Sequence, residues 1–183
     1  MKQARWLTPD EQRAWRALLS ATHLLFDQLD HELQRDAGIP HAYYEILVRL
    51  SESPNRAMRM SDLADRAQYS RSRLSHAAAR LEELGWIKRE ECPTDRRGAF
   101  ATLTDKGFAA LEAAAPGHVA GVRAHLFDRL SPEQVSQLRD IGEVVTTHLE
   151  TLSCRNGKGQ SEGSSVQPSC DTLAANSNQG MVT

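Results

Sequence analysis

The chain has 183 residues, enough for one domain with a real core, and its formal net charge of −2 points by itself to no polyanionic partner. No apolar run approaches the roughly 20 residues needed to cross a bilayer, and the N-terminus runs into Trp6, Asp10, Glu11 and Arg13 rather than into an apolar leader, so neither a membrane partner nor export is expected. Three cysteines, Cys92, Cys154 and Cys170, are odd in number and lack CxxC spacing, which is a poor disulfide framework and fits a reducing, cytoplasmic compartment.

Thr8-Pro9-Asp10-Glu11 predicts a helix start, with Thr as N-cap, Pro in the first turn and Glu completing a capping box. The helix is expected to reach about Asp36, with Gly38 as the stop. Its stripe of Trp15, Leu18, Leu19, Thr22, Leu25, Phe26, Leu29 and Leu33 is long and wide for a lone surface helix, so both sides are expected to pack. Pro40 opens a second helix through Tyr43, Tyr44, Ile46, Leu47 and Leu50, and residues 51–55 (SESPN) read as a turn. Ser61 is expected to cap a short helix to about Gln68, with Leu63, Ala64 and Ala67 inward.

Residues 69–84, YSRSRLSHAAARLEEL, predict the next helix. Ser70 suits its N-cap, Gly85 suits the position just past its end, and Leu74, Ala77, Ala78, Leu81 and Leu84 form one apolar stripe. The other face carries Arg71, Ser72, Arg73, Ser75, His76 and Arg80, with no acidic residue between Asp65 and Glu82. Arginines and hydroxyls near a helix N-terminus suit phosphates and guanine edges. An ordinary Arg-rich amphipathic helix is the plain alternative. The charge distribution favours the first: 11 of the 22 Lys and Arg fall between Arg56 and Lys106, against 8 Asp and Glu, for a local balance of +3. Two helices joined by a tight connection at Tyr69-Ser70 make a helix-turn-helix pattern.

Residues 86–91 and 99–103 read as two strands, with a turn-rich loop at 92–98 that holds Arg96 and Arg97. A hairpin directly after a helix-turn-helix is a wing. Thr104 is expected to cap an Ala- and Leu-rich helix that Pro116-Gly117 should kink or interrupt. Ser131-Pro132-Glu133-Gln134 starts a last helix through Leu149. From residue 151 to 183, 16 of 33 residues are Gly, Ser, Asn or Gln and none is aromatic, so this tail is expected to be disordered.

The order of these parts resembles the MarR family of bacterial transcription regulators. The resemblance lies in Ser61-Asp62-Leu63-Ala64, Ser70-Arg71-Ser72-Arg73-Leu74-Ser75, Leu81-Glu82-Glu83-Leu84-Gly85-Trp86-Ile87, Asp95-Arg96-Arg97-Gly98 and Leu103-Thr104-Asp105-Lys106-Gly107. It covers roughly residues 8–150. It implies a mainly α fold with a small β-hairpin wing: an N-terminal dimerisation helix at 8–38, a winged helix-turn-helix DNA-binding domain at 39–104, C-terminal dimerisation helices at 105–150 and the tail at 151–183. The implied activity is that of a ligand-responsive repressor that binds a short palindrome in double-stranded DNA as a homodimer.

By the same resemblance, Ser72, Arg73 and His76 would meet base edges, with Arg73 donating to guanine, while Ser70, Arg71 and Ser75 hold phosphates and Arg80 extends the basic face. Arg97 matches the family's minor-groove arginine and Arg96 its phosphate-reaching neighbour. Asp95 would orient an arginine or simply be a turn residue, and Gly98 would serve backbone geometry. A small aromatic or phenolic effector would lie near Trp15, His23, Phe26, Tyr43 and Tyr44, although aromatics at helical spacing also read as plain core.

Other readings remain. A winged-helix protein acting through protein contacts alone is one. A redox-sensing relative using Cys92, or a metal-sensing one using histidines such as His118 and His125, is another, and solvated or core-edge histidines are the plainer expectation. No Gly-rich phosphate loop, nucleophile elbow or paired carboxylates in an apolar setting motivates an enzyme, and no cofactor is expected.

Overall fold

The computed structural model describes residues 4–92 and 95–157, with the backbone alone for 91–92, 95–98 and 153–157. It falls into two compact units, one ending at Arg129 and one beginning at Leu130.

The first unit starts with α1 (Pro9–Ala37). Thr8 and Glu11 form the expected capping box, and Gly38 closes the helix in the left-handed region at φ 67°. Only the second half of α1 is anchored: Leu29 and Leu33 are buried, whereas Trp15, Leu18, Leu19 and Phe26 stay exposed, so the expectation that the whole stripe packs is met by half of it within this chain. The stripe is continuous, but the core reaches only its C-terminal end. After Pro40 comes α2 (His41–Ser51), whose Ile46, Leu47 and Leu50 lie at the centre of the core.

The predicted turn holds a short 3-10 segment, Pro54–Arg56, with Asn55 and Arg56 at positive φ. It leads into a three-residue strand, β1 (Ala57–Arg59), that no sequence pattern announced. Three residues are too few for alternation to be legible, and β1 exists because β3 offers it an open edge. The next helix, α3 (Met60–Arg66), begins one residue early and is capped by no side chain. The Ser61 hydroxyl instead donates to Asp62, so Ser61 is not the expected cap. A turn with Gln68 at φ 57° leads to α4 (Arg71–Glu83). The Ser70 hydroxyl accepts from the Arg73 N–H at 3.2 Å, as the N-cap pattern requires. Leu74, Ala77, Ala78 and Leu81 are buried, but Leu84, at the C-cap, is 37% exposed.

Gly85 takes φ 72°, and the Trp86 N–H returns to the Leu81 carbonyl at 2.9 Å, which ends α4 abruptly. The sheet has order β1-β3-β2, all antiparallel, with β2 at Ile87–Cys92 and β3 at Asp95–Leu103. β3 starts four residues before the predicted strand, so residues 95–98, expected in a loop, belong to it. The turn-forming look of Asp-Arg-Arg-Gly gives way to a strand whose Asp95 pairs with Cys92 of β2. The register slips there: Glu91 faces Ala99 but Cys92 faces Asp95.

Thr104 caps α5 (Asp105–His125) and also ties it to the end of α4. Its hydroxyl donates toward the Gly85 carbonyl at 2.8 Å and accepts from the Gly107 N–H at 3.0 Å. A Cβ at Gly107 would lie 2.1 Å from the Trp86 carbonyl oxygen, so only glycine lets the two helices join this closely. The expected interruption at Pro116-Gly117 does not occur: α5 stays helical through it. The proline removes one N–H, and the turns on either side hold the rest of the ladder.

The second unit is built around α6 (Pro132–Gly157), started by a box in which the Gln134 N–H donates to Ser131 and the Ser131 N–H to the Gln134 side chain. The helix runs past Leu149, where the sequence placed its end, so residues 151–157 of the expected tail are helical. The Thr151 hydroxyl donates to the His148 carbonyl at 2.6 Å within this last stretch. The remaining tail, with Cys170, lies outside the described residues, as does the Cys154 side chain.

Candidate nucleic-acid interface

The first unit presents a helix-turn-helix, α3 and α4, beside a hairpin wing. Ser70, Arg71, Ser72, Arg73, Ser75, His76 and Arg80 are all exposed on α4, opposite the four buried apolar positions. The amphipathic period thus sorts the helix into a core face and a cationic, hydroxyl-rich outer face. The side chains are not equally free. Arg80 forms an ion pair with Glu83, so its charge is compensated within the helix. Arg73 stands over the ring of Tyr69, 4.4 Å from its centroid.

Clefts flank the face. On one side Arg59, Met60, Ser61, Arg71, Leu74, Ser75 and Ala99 join the starts of α3 and α4 to β3. On the other, Ala42, Tyr43, Tyr69, Arg73 and His76 join α2 to α4. The wing is braced to α4 by Arg89 on β2: its guanidinium donates to Glu82 at 2.6 and 2.8 Å and its backbone N–H at 3.1 Å. These bonds hold the Glu82 carboxyl below the usual range, the side-chain bonds first and the backbone bond next. Arg59 stacks over Phe100 of β3 at 5.3 Å. Sequence reasoning missed Tyr69, Glu82, Arg89 and Arg59 as supports of this face. Their partners lie on other elements, and no spacing along the chain reports such pairs. The side chains of Cys92, Asp95, Arg96 and Arg97 lie outside the described residues, and of Gly98 only the backbone is described, as part of β3.

The residues singled out for an effector are spread over α1 and α2. Trp15 and His23 are exposed on α1, and Tyr43 faces the cleft beside α4. Phe26 and Tyr44 do belong to one cluster. Phe26 meets the His41 ring edge-on at 5.5 Å, His41 lies 5.5 Å from His118, and Tyr44 is 4.5 Å from His118. Burial pushes the His118 imidazole below the usual histidine range, with His41 adding to it, and the buried His118 Nδ1 has no hydrogen-bond partner. His125, considered together with His118 for metal, turns instead to Glu32 at 2.8 Å. Among the described residues no three His, Cys, Asp or Glu come together as a metal site, and no helix is long and apolar enough to cross a membrane.

Comparison with known proteins agrees with this architecture. A model of the MarR family matches residues 37–98, which span the helix-turn-helix and most of the wing. Sco3205, a MarR family transcriptional regulator from Streptomyces coelicolor solved in complex with DNA, is 54% identical over 81% of this chain and 93% of its own, with a TM-score of 0.77. AbsC, a MarR family regulator from the same organism, is 46% identical over 81% of this chain and 99% of its own, with a TM-score of 0.75. The transcriptional repressor MprA of Escherichia coli is 28% identical over 67% of this chain and 69% of its length. A match across the helix-turn-helix, joined to relatives about half identical over nearly their whole length, leaves no room for the enzyme reading: the chain belongs to the MarR family of transcriptional regulators.

Proposed function

We propose that the protein is a cytoplasmic repressor that binds a short palindromic operator as a homodimer, with α4 of each copy in the major groove and the wing reaching the adjacent minor groove. The observation that carries this reading is the outer face of α4, where every polar residue from Ser70 to His76 is exposed and no carboxylate intervenes. The DNA complex of Sco3205 supports it by similarity. Arg73, Ser72 and His76 meet base edges, while Ser70, Arg71 and Ser75 hold phosphates. Arg80, paired with Glu83, plays a lesser part. Arg97 enters the minor groove and Arg96 the backbone.

In this reading residues 39–104 are the DNA-binding part and the flanking helices dimerise. Apolar surface supports that division: Trp15, Leu18 and Phe26 on α1, and separately Ile141, Val144, Val145 and Leu149 on α6, are exposed in the single chain. For an effector, the Phe26–His41–Tyr44–His118 ring cluster favours a small aromatic ligand. Its binding would change the spacing of the two α4 helices and release the operator.

The test is the double variant Arg73→Ala with Arg97→Ala. It is expected to lose operator binding in a gel-shift assay while sedimenting as a dimer. Operator binding retained at wild-type strength contradicts the assignment and favours action through protein contacts alone.

A further inference from the structure

We propose that Tyr69, fixed by Glu45 of α2, is the positioning residue that aims Arg73 at the operator and so sets base specificity without touching DNA. This inference rests on the DNA-binding reading of Arg73.

The geometry is a chain of four side chains. The Arg73 guanidinium lies 4.4 Å from the centroid of the Tyr69 ring. The Tyr69 hydroxyl donates to Glu45 Oε2 at 3.0 Å. Glu45 Oε1 in turn accepts from the Arg49 guanidinium at 2.9 Å, one turn along α2. The Tyr69 backbone is also held, its N–H donating to the Ala64 carbonyl of α3 at 2.9 Å just after the left-handed Gln68. The ring is therefore fixed from both ends, and it packs half-buried against the core.

An exposed arginine has several rotatable bonds, and ordering it on binding is unfavourable. A ring face that already holds the guanidinium removes part of that penalty and restricts the plane in which its N–H groups point. Among the described residues neither Arg71 nor Arg80 stands over a ring: Arg80 is turned to Glu83, and Arg71 lines the opposite cleft. The phenol stays neutral over the working range, since burial and the Glu45 carboxylate push its pKa up to about 12, so the hydroxyl keeps the proton it donates to Glu45.

The experiment is a double-mutant cycle on affinity and base preference. A duplex selected from a random pool by the wild-type protein is the probe, together with versions in which each guanine is replaced by adenine. Fluorescence anisotropy then compares wild type, Tyr69→Leu, Arg73→Ala and the double variant. Tyr69→Leu is expected to weaken binding about tenfold and to flatten preference at the same guanine that Arg73→Ala flattens. In the Arg73→Ala background it should add less than about twofold. Tyr69→Phe, which keeps the ring and loses the Glu45 bond, should fall between, and Glu45→Leu, which removes the acceptor, should match it. These two variants carry the same cycle if Tyr69→Leu does not fold. Equal losses in both backgrounds, with the guanine preference kept, overturn the proposal and leave Tyr69 a structural residue. Arg73→Ala weakening binding while no Tyr69 variant does overturns the proposal alone. Arg73→Ala without effect overturns both the proposal and the DNA reading of Arg73.

Discussion

Helices α4 and α6 carry the same kind of apolar repeat and meet opposite fates. In α4, Leu74, Ala77, Ala78 and Leu81 are all buried. In α6, Leu138, Ile141, Val144, Val145, Leu149 and Leu152 recur at helical spacing, yet each is exposed, Val144 by 72%. The first half of α1 behaves like α6, with Trp15 exposed by 51%. Periodicity states which face of a helix is apolar; it does not state what covers it. The winged helix builds its core from α2, α3, α4, α5, the sheet and the end of α1 at Leu33, with Ile46, Leu47, Leu50, Leu63 and Leu81 excluded from solvent. The terminal helices carry surface that the single chain leaves bare, and in the proposed dimer a second copy covers it.

Substitutions on the two sides of this comparison should separate stability from assembly. The largest effect on folding is expected from Leu81→Ala, which removes a fully buried side chain from beneath the cationic face. It should lower unfolding free energy by about 2–5 kcal/mol in urea denaturation. Ile141→Asp with Val145→Asp should leave the near-ultraviolet signature of the winged helix in place. In sedimentation it should convert the dimer to monomer at micromolar concentration, with operator affinity falling by about 100-fold or more. A variant that stays dimeric would assign those residues to another surface. Ser70→Ala removes the α4 cap and should lower stability by about 1 kcal/mol in thermal melts, with a parallel loss of affinity from a frayed first turn.

The smallest effect concerns pH. The Glu82 carboxyl is depressed from 4.5 by Arg89, so its contribution to stability is present above that value and is lost as pH falls through the folded value. The pair is more than a third exposed, which screens it. Glu82→Gln should therefore flatten the dependence of Tm on pH below about pH 4.5 by no more than a degree or two. An unchanged profile would mean the brace adds nothing to stability.

Much of this arrangement was legible in the chain because its signals are local. Thr8, Ser70, Thr104 and Ser131 each cap a helix as their spacing implies, and Gly38 and Gly85 end helices in the left-handed region. The exposed row from Ser70 to Arg80 was also legible, since a single helix sets it. What failed depends on distant partners. β1 is stabilised by β3, and β3 begins as early as Asp95, where it pairs with Cys92 of β2. Ser61 offered a cap that the helix does not use, and Pro116 offered a break that α5 does not take. Tyr43 and Tyr44, adjacent in sequence, serve different neighbours: one faces α4, the other packs on His118 of α5. The supports of the cationic face, Tyr69 on Glu45 and Arg89 on Glu82, link residues 24 and 7 positions apart through the fold.

The central claim is that the outer face of α4 reads DNA sequence. Its most direct test is fluorescence anisotropy on the duplex flanking the protein's own gene, against a random duplex, over a series of salt concentrations. The account predicts tight binding to the flanking duplex with a steep negative salt slope, and affinity for random DNA lower by about 1,000-fold or more. Equal and weak binding to both duplexes, while a pool of random sequences also yields no preferred site, would contradict it.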